Sequence, residues 1–478
     1  MKVKPHTVIP YLLALAGLIS VAWWIMHDPV KDLQASVPGM DNRGEGVAAE
    51  LDISIGESFE RFERERSDLE ETWPRFRGEH FDNISRSEVP LIDAFPENGP
   101  QVLWSVHLGE GHGGAAIYRG KAYILDYDEE LRADMLRCFD LVSGTELWRR
   151  WYEIPIKRNH GMSRTVPAVT EDYIVTIGPR AHVMCVDRED GDFRWGLDVE
   201  KEYSSEVPFW YTGQCPIIDD GLAIIATGGS SLVVAVDCRT GEVVWETPNE
   251  QQWGMSHSSI MPYEFNGEKM YLYSAIGGAC GIAAEGRDAG KILWSTSEWR
   301  KNVVAPSPIG LPDGKIFLTA GYGAGSMVLQ LVPDGDGFEA QVIQEYSPRE
   351  GLACEQQTPV IHDGHLLGIL PKDAGPKRNE MVCVHPDDFT EIVWSSGQTV
   401  RFGLGPYMIA DDKMFILNDD GTLVIARPSV TSYQELDRYR IIGNGADAWA
   451  PLAIADGYMV LRDSETMVCI DLAKNRRN

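Results

Sequence analysis

An all-β fold is predicted, an eight-bladed β-propeller of four-stranded antiparallel blades preceded by one N-terminal transmembrane helix. Three observations predict it. A strand–turn–strand unit ending in tryptophan recurs along the chain. Its spacing is 44 to 50 residues, with one gap of 100. Strand-like runs then come in groups of four, and a 40–50-residue period with four strands per repeat marks a propeller.

The clearest unit is Ala235 to Trp245, AVDCRTGEVVW. Apolar residues alternate from Val233 to Val236, and the chain turns at Arg239-Thr240-Gly241. Asp237 can accept hydrogen bonds from the turn backbone, Gly241 supplies a positive φ, and Trp245 delivers one large apolar plate. Cys138 to Trp148 and Cys185 to Trp195 repeat the pattern. Looser copies end at Trp294 and Trp394, a degenerate one spans Phe338 to Tyr346, and Cys469-Ile-Asp471-Leu is a last half-copy.

The motif A-x-D-x-x-T-G-x-x-x-W, matched at Ala235, Asp237, Thr240, Gly241 and Trp245, resembles the tryptophan-docking repeat of quinoprotein-type (PQQ-like) propellers. Trp73-Pro-Arg-Phe-Arg-Gly78 is similar to the opening of bacterial PQQ-binding-like repeat proteins. The resemblance runs from about Trp73 to the C-terminus. It implies the fold and leaves function open, because such repeats serve both dehydrogenases and non-enzymatic scaffolds.

Composition narrows the function classes. A hydrophobic content of 44% supports a core, and the formal charge of −29 repels phosphate backbones, which argues against nucleic-acid binding. Of eight cysteines, Cys138, Cys185, Cys383 and Cys469 share one repeat position with Ala235, so buried free thiols are expected. No C-x-x-C pair exists, which sets aside zinc and covalent haem.

Residues 1–7 read as a basic cytoplasmic terminus and 8–26 as a transmembrane anchor closed by Trp23-Trp24. A cleaved signal peptide is the alternative. Residues 27–72 read as a charged tether, in which Glu57 to Glu71 predicts a short solvated helix. The propeller then occupies 73–478. The chain is expected in the inner membrane, single-pass, with the N-terminus cytoplasmic and the propeller periplasmic. Envelope or membrane proteins are the expected partners.

Inner strands are expected to begin near His112, Ser163, Gln214, Ser256, Val304, Gln357, Gly403 and Trp449. The eighth group lacks an outer strand, and residues 101–107 supply it, closing the last blade. Residues just ahead of inner strands face the axial funnel. That phase gathers His112, His160 with Arg164, Tyr211 with Gln214, Trp253 with His257, Asn302, Glu355 with Gln356, Arg401 with Phe402, and Asp447 with Trp449. Such a ring suits a planar anionic ligand, although any solvated funnel mouth is polar.

Cofactor-binding candidates are Arg164, Trp253, His257, Asn302, Arg401 and Trp449. The dehydrogenases that the repeat resembles imply pyrroloquinoline quinone (PQQ) and calcium, a catalytic aspartate, an arginine by the quinone and often a ring of adjacent cysteines. No adjacent cysteines occur here, and Asp447 and Glu355 are the catalytic candidates should the protein be an enzyme. The leading expectation is a membrane-anchored, non-catalytic interaction scaffold or ligand-binding module without cofactor. The alternative is a PQQ- and calcium-dependent dehydrogenase oxidising an alcohol or sugar.

Overall fold

The computed structural model describes residues 14–23, 53–474 and 476. Strands rich in Val, Ile and Leu alternate with Gly- and Asp-bearing turns, and they assemble into eight sheets of at least four strands each. Blade 1 runs from Ala116–Tyr118 to Glu146–Glu153, and blade 2 from Ala168–Val169 to Phe193–Asp198. Blade 3 ends on Val243–Pro248, blade 4 on Ile292–Thr296, blade 5 on Gly337–Tyr346, blade 6 on Asp388–Ser395 and blade 7 on Glu435–Arg440. Blade 8 holds Ala453–Ala455, Tyr458–Arg462 and Thr466–Asp471, and its outer strand is Gln101–His107.

The closing register is antiparallel, with Cys469 opposite Trp104 and Met467 opposite Val106. A strand from upstream of blade 1 therefore locks the C-terminal blade, and neither end of the ring leaves an unpaired sheet. Apolar clusters lie between neighbouring blades. One joins blades 2 and 3, another blades 3 and 4, and the largest spans blades 7, 8 and 1.

The repeat has one local geometry. Tryptophan stands opposite a small residue next to a β-bulge: Cys138–Trp148, Cys185–Trp195, Ala235–Trp245, Gly281–Trp294, Cys383–Trp394 and Cys469–Trp104. In blade 5 Gln344 takes the indole's place opposite Val328. The indoles of Trp104, Trp148, Trp195 and Trp245 each reach the turn of the next blade, whereas that of Trp294 donates to Met270 Sδ of its own blade. A Cβ on Gly241 would sit 2.7 Å from Trp195, and one on Gly144 2.3 Å from Trp104, so both turns need glycine for space as well as for φ. All eight cysteines are free and buried.

Two expectations change. Residues 14–23 form a ten-residue helix, and no described helix is long and apolar enough to cross a membrane. Of the transmembrane helix predicted over 8–26, only these ten residues are described; the others lie outside the described ones, as do residues 27–52 of the tether. The solvated helix predicted within 57–71 is replaced by strand Ser58–Arg61, which pairs with the outer strand of blade 1, Phe59 opposite Arg150. Phe59 packs against Trp148 and lies under the Arg150 guanidinium at 4.4 Å. Covering an open sheet edge outweighs the helical leaning of the charged residues.

Residues 72–85 cross the propeller axis. Thr72–Trp73 pairs with the inner strand of blade 1, and the Pro74 carbonyl accepts from Val169 N in blade 2. Arg75 donates to the Ile218 carbonyl of blade 3. Arg77, buried without a carboxylate partner among the described residues, donates to the Thr358 and Pro359 carbonyls of blade 6 at 3.0 Å each. Ile84 then pairs parallel with Ile409 of blade 7. The segment plugs one end of the axial channel and satisfies inner-strand carbonyls that would otherwise face it.

Candidate functional site

With one end plugged, the axial channel is a blind funnel, and Phe76 of the plug lines its cavity of about 180 Å³. His112, His160, Arg164, His257, Glu355, Gln356 and Trp449 line it as the repeat phase predicted, and Gln357 joins them. Glycines let the backbone carry His112 in close: a Cβ on Gly111 would lie 2.6 Å from the Ser163 carbonyl, to which His112 N donates at 2.7 Å.

One wall is built on Trp449. Its ring lies 4.9 Å from that of His112 and 5.9 Å from that of His160, while its indole N–H donates to Asp419 at 2.8 Å. Lys372 sits over the same indole at 5.7 Å. The other wall is Trp210 stacked on Tyr322, ring centroids 5.6 Å apart, with His257 beside Trp210 at 6.1 Å.

Arg164 stands between them. Its Nε donates to the Trp210 carbonyl at 2.6 Å, and Nη2 reaches the carbonyls of Asn159 at 3.1 Å and His160 at 2.5 Å. Among the described residues no carboxylate pairs with it. Burial pulls its guanidinium down to about 10, which leaves it fully charged at neutral pH. Burial, then Arg164, lowers the His112 imidazole to about 3 and the His257 imidazole to about 4, so both are neutral. Neither ring nitrogen of His112 has a partner, nor does His257 Nε2. A half-buried, unbalanced cation, neutral imidazoles with idle nitrogens and two aromatic plates can clasp a flat anion.

On the far side, burial raises the carboxyls of Glu355 and Asp419, and Lys372 partly offsets this in both. Glu355 accepts from Lys372 N at 3.2 Å.

Seven residues of the predicted ring, Tyr211, Gln214, Trp253, Asn302, Arg401, Phe402 and Asp447, do not line the cavity. Trp253 packs on the Gly277–Gly278 turn of its own blade, where a Cβ on Gly278 would lie 2.1 Å from the indole. Asn302 is exposed to solvent beside Val303, which lines the cavity in its place. Arg401 fastens the blade 6 loop by donating to the carbonyls of Pro376 and Gln398 at 2.9 Å and to that of Arg378. Asp447 has φ +52, and its carbonyl accepts from Trp449 N at 2.8 Å. Tyr211 and Gln214 turn away too: Tyr211 donates to the Lys157 carbonyl at 2.6 Å, and Gln214 brackets Ala226. Trp210, Tyr322, Lys372 and Asp419 were missed. Tyr322 and Asp419 lie in turns between second and third strands, outside the phase that precedes each inner strand. The aromatic triplet Phe209-Trp210-Tyr211 was the available signal.

The resemblance implies pyrroloquinoline quinone with calcium. Among the described residues no three His, Cys, Asp or Glu side chains come together to hold a metal ion. The aromatic walls and Arg164 match the planar anionic part alone.

A family model described as outer membrane protein assembly factor BamB matches residues 132–323. Among solved structures, BamB from Moraxella catarrhalis is similar over 79% of this chain and 99% of that chain, at 12% identity and a TM-score of 0.51. The computationally designed Ika8 protein covers 77% of this chain and 99% of its own, at 12% identity and TM-score 0.50. A europium-containing methanol dehydrogenase covers 76% and 84%, at 11% identity and TM-score 0.50. No curated protein sequence matches. At these identities the likeness establishes the fold.

Proposed function

We propose that this chain, a PQQ-like β-propeller repeat protein, is a non-catalytic module that binds a small planar anion in its blind funnel. One observation carries the reading. Arg164 is a half-buried cation without a carboxylate partner among the described residues, set between the Trp449–His112 and Trp210–Tyr322 walls. A charge left unbalanced in a low-dielectric cleft favours an anionic guest, and flat walls favour an aromatic one.

Thermal melts with a quinoline dicarboxylate test this. The reading expects the midpoint to rise with ligand concentration by mass action and expects no dye reduction when PQQ, calcium and an alcohol are supplied. An unchanged midpoint overturns it.

A second reading, a PQQ- and calcium-dependent dehydrogenase of alcohols or sugars, draws on Glu355. Burial raises its carboxyl at the funnel wall, as befits a proton-transferring group. Dye-coupled turnover abolished by Glu355→Gln would favour it.

The apolar run Val8 to Met26 and the assembly-factor description of the matching family support a further part of the proposal: a propeller tethered to the inner membrane on its extracytoplasmic side, partnered by envelope proteins. Protease added outside spheroplasts should digest the propeller, and protection from it would contradict this placement.

A further inference from the structure

The tryptophan-docking step recurs with the same contacts at separate blade junctions. Where blade 8 meets blade 1, Trp104 Nε1 donates to the Leu141 carbonyl at 2.8 Å, and Cys469 Sγ lies 3.6 Å from the same oxygen. Where blade 2 meets blade 3, Trp195 Nε1 donates to the Cys238 carbonyl at 2.9 Å, and Cys185 Sγ lies 3.4 Å from that oxygen. The small residue opposite each indole thus faces the residue that follows the turn aspartate of the next blade.

At the blade 8–blade 1 junction that residue is leucine, and at the blade 1–blade 2 junction the matching position is Arg188. At blade 2–blade 3 it is a second cysteine. Cys185 and Cys238 are both buried to 0% exposure. The two side chains pack in one buried apolar cluster, with Cys185 Sγ against the Cys238 backbone, and the neighbouring Cys238 thiol together with burial holds the Cys185 thiol well above the ordinary range.

We propose that Cys185 and Cys238 are an inter-blade disulfide site, joining the third strand of blade 2 to the turn of blade 3 when the protein meets a disulfide-bearing oxidant. One cysteine thiolate attacks the oxidant's S–S bond, forming a mixed disulfide and expelling one thiolate. The second cysteine then attacks the protein sulfur of that mixed disulfide and expels the other. The two protein thiols lose two protons and two electrons, and the oxidant is reduced to two thiols. The closed junction shields both sulfurs, so the bond forms while blades 2 and 3 are apart, during folding or local opening. It closes a loop of about fifty residues, a length at which cross-linking restricts the unfolded chain substantially.

The test incubates the purified full-length chain in mild urea with a glutathione redox buffer, quenches with acid, and alkylates under denaturing conditions. The proposal expects six of the eight cysteines to be labelled and a proteolytic peptide pair joining Cys185 to Cys238 that reduction separates. Cys238→Ala should label all seven remaining thiols, whereas Cys215→Ala should label five and keep the cross-link. The oxidised protein should melt a few degrees above the reduced one. Eight labelled thiols, or a cross-link between any other pair, overturns the proposal.

Discussion

Trp449 lies against His112 with ring centroids 4.9 Å apart, and its indole N–H is held by Asp419 at 2.8 Å. The carboxylate fixes the indole, and the indole orients an imidazole whose two nitrogens have no other partner. Asp419→Ala should release the ring, red-shift tryptophan emission and weaken binding of a planar anion by about tenfold, the equivalent of one charged hydrogen bond. A fluorescence titration reads both effects.

Ring closure depends on Trp104, which is buried opposite Cys469 and bonded to the Leu141 carbonyl. Trp104→Ala removes contacts with two blades at once and should destabilise the fold by about 3–5 kcal/mol. Denaturant unfolding measures it. Val244→Ala, on an exposed outer-strand position, should stay within about 0.5 kcal/mol of wild type.

How far the sequence reached follows from these two sites. The role of residues 101–107 was legible because the tryptophan and the strand count both demanded an eighth outer strand. The funnel was half legible. His112, Arg164, His257, Glu355 and Trp449 lie in the phase that precedes each inner strand, and backbone period alone places them. Asp447 lies in the same phase, but its φ of +52 reverses the chain locally, which periodicity does not encode. Tyr322 and Asp419 arrive from turns whose reach over the funnel depends on loop shape. The plug was invisible because its bonds run from Arg75 and Arg77 to backbone carbonyls, which any sequence offers.

Asp134 is buried between blades 1 and 2, where Tyr152 donates to it at 3.0 Å and its Oδ1 has no partner. Burial raises its carboxyl from 3.8 to about 7. The native state thus keeps a proton that the unfolded chain releases above pH 3.8, so stability falls as pH rises from about 4 to about 7 and is level beyond. Asp134→Asn should remove that slope and stabilise the protein above pH 7 by a few kcal/mol, while changing little below pH 4. Urea unfolding across pH checks it.

His112 and His257 have the opposite sense. Burial first, then nearby cations, lowers them from 6.5 to about 3 and about 4. Their contribution is complete above pH 6.5 and is lost as pH falls toward those values, because the unfolded chain takes up protons that the native funnel refuses. With both present the loss approaches twice 1.4 kcal/mol per pH unit. His112→Gln should shallow the slope between pH 6 and 4, and planar-anion binding should stay level from pH 6 to 8. Unfolding and binding curves collected over that range test each half.

The central claim is that Arg164 supplies the funnel's unbalanced charge, and calorimetric titration of a quinoline dicarboxylate into wild type and Arg164→Gln tests it most directly. The account predicts saturable one-to-one binding in wild type, weakened by added salt and at least tenfold weaker in the variant. Equal affinity in the two proteins, or no heat in either, would contradict it.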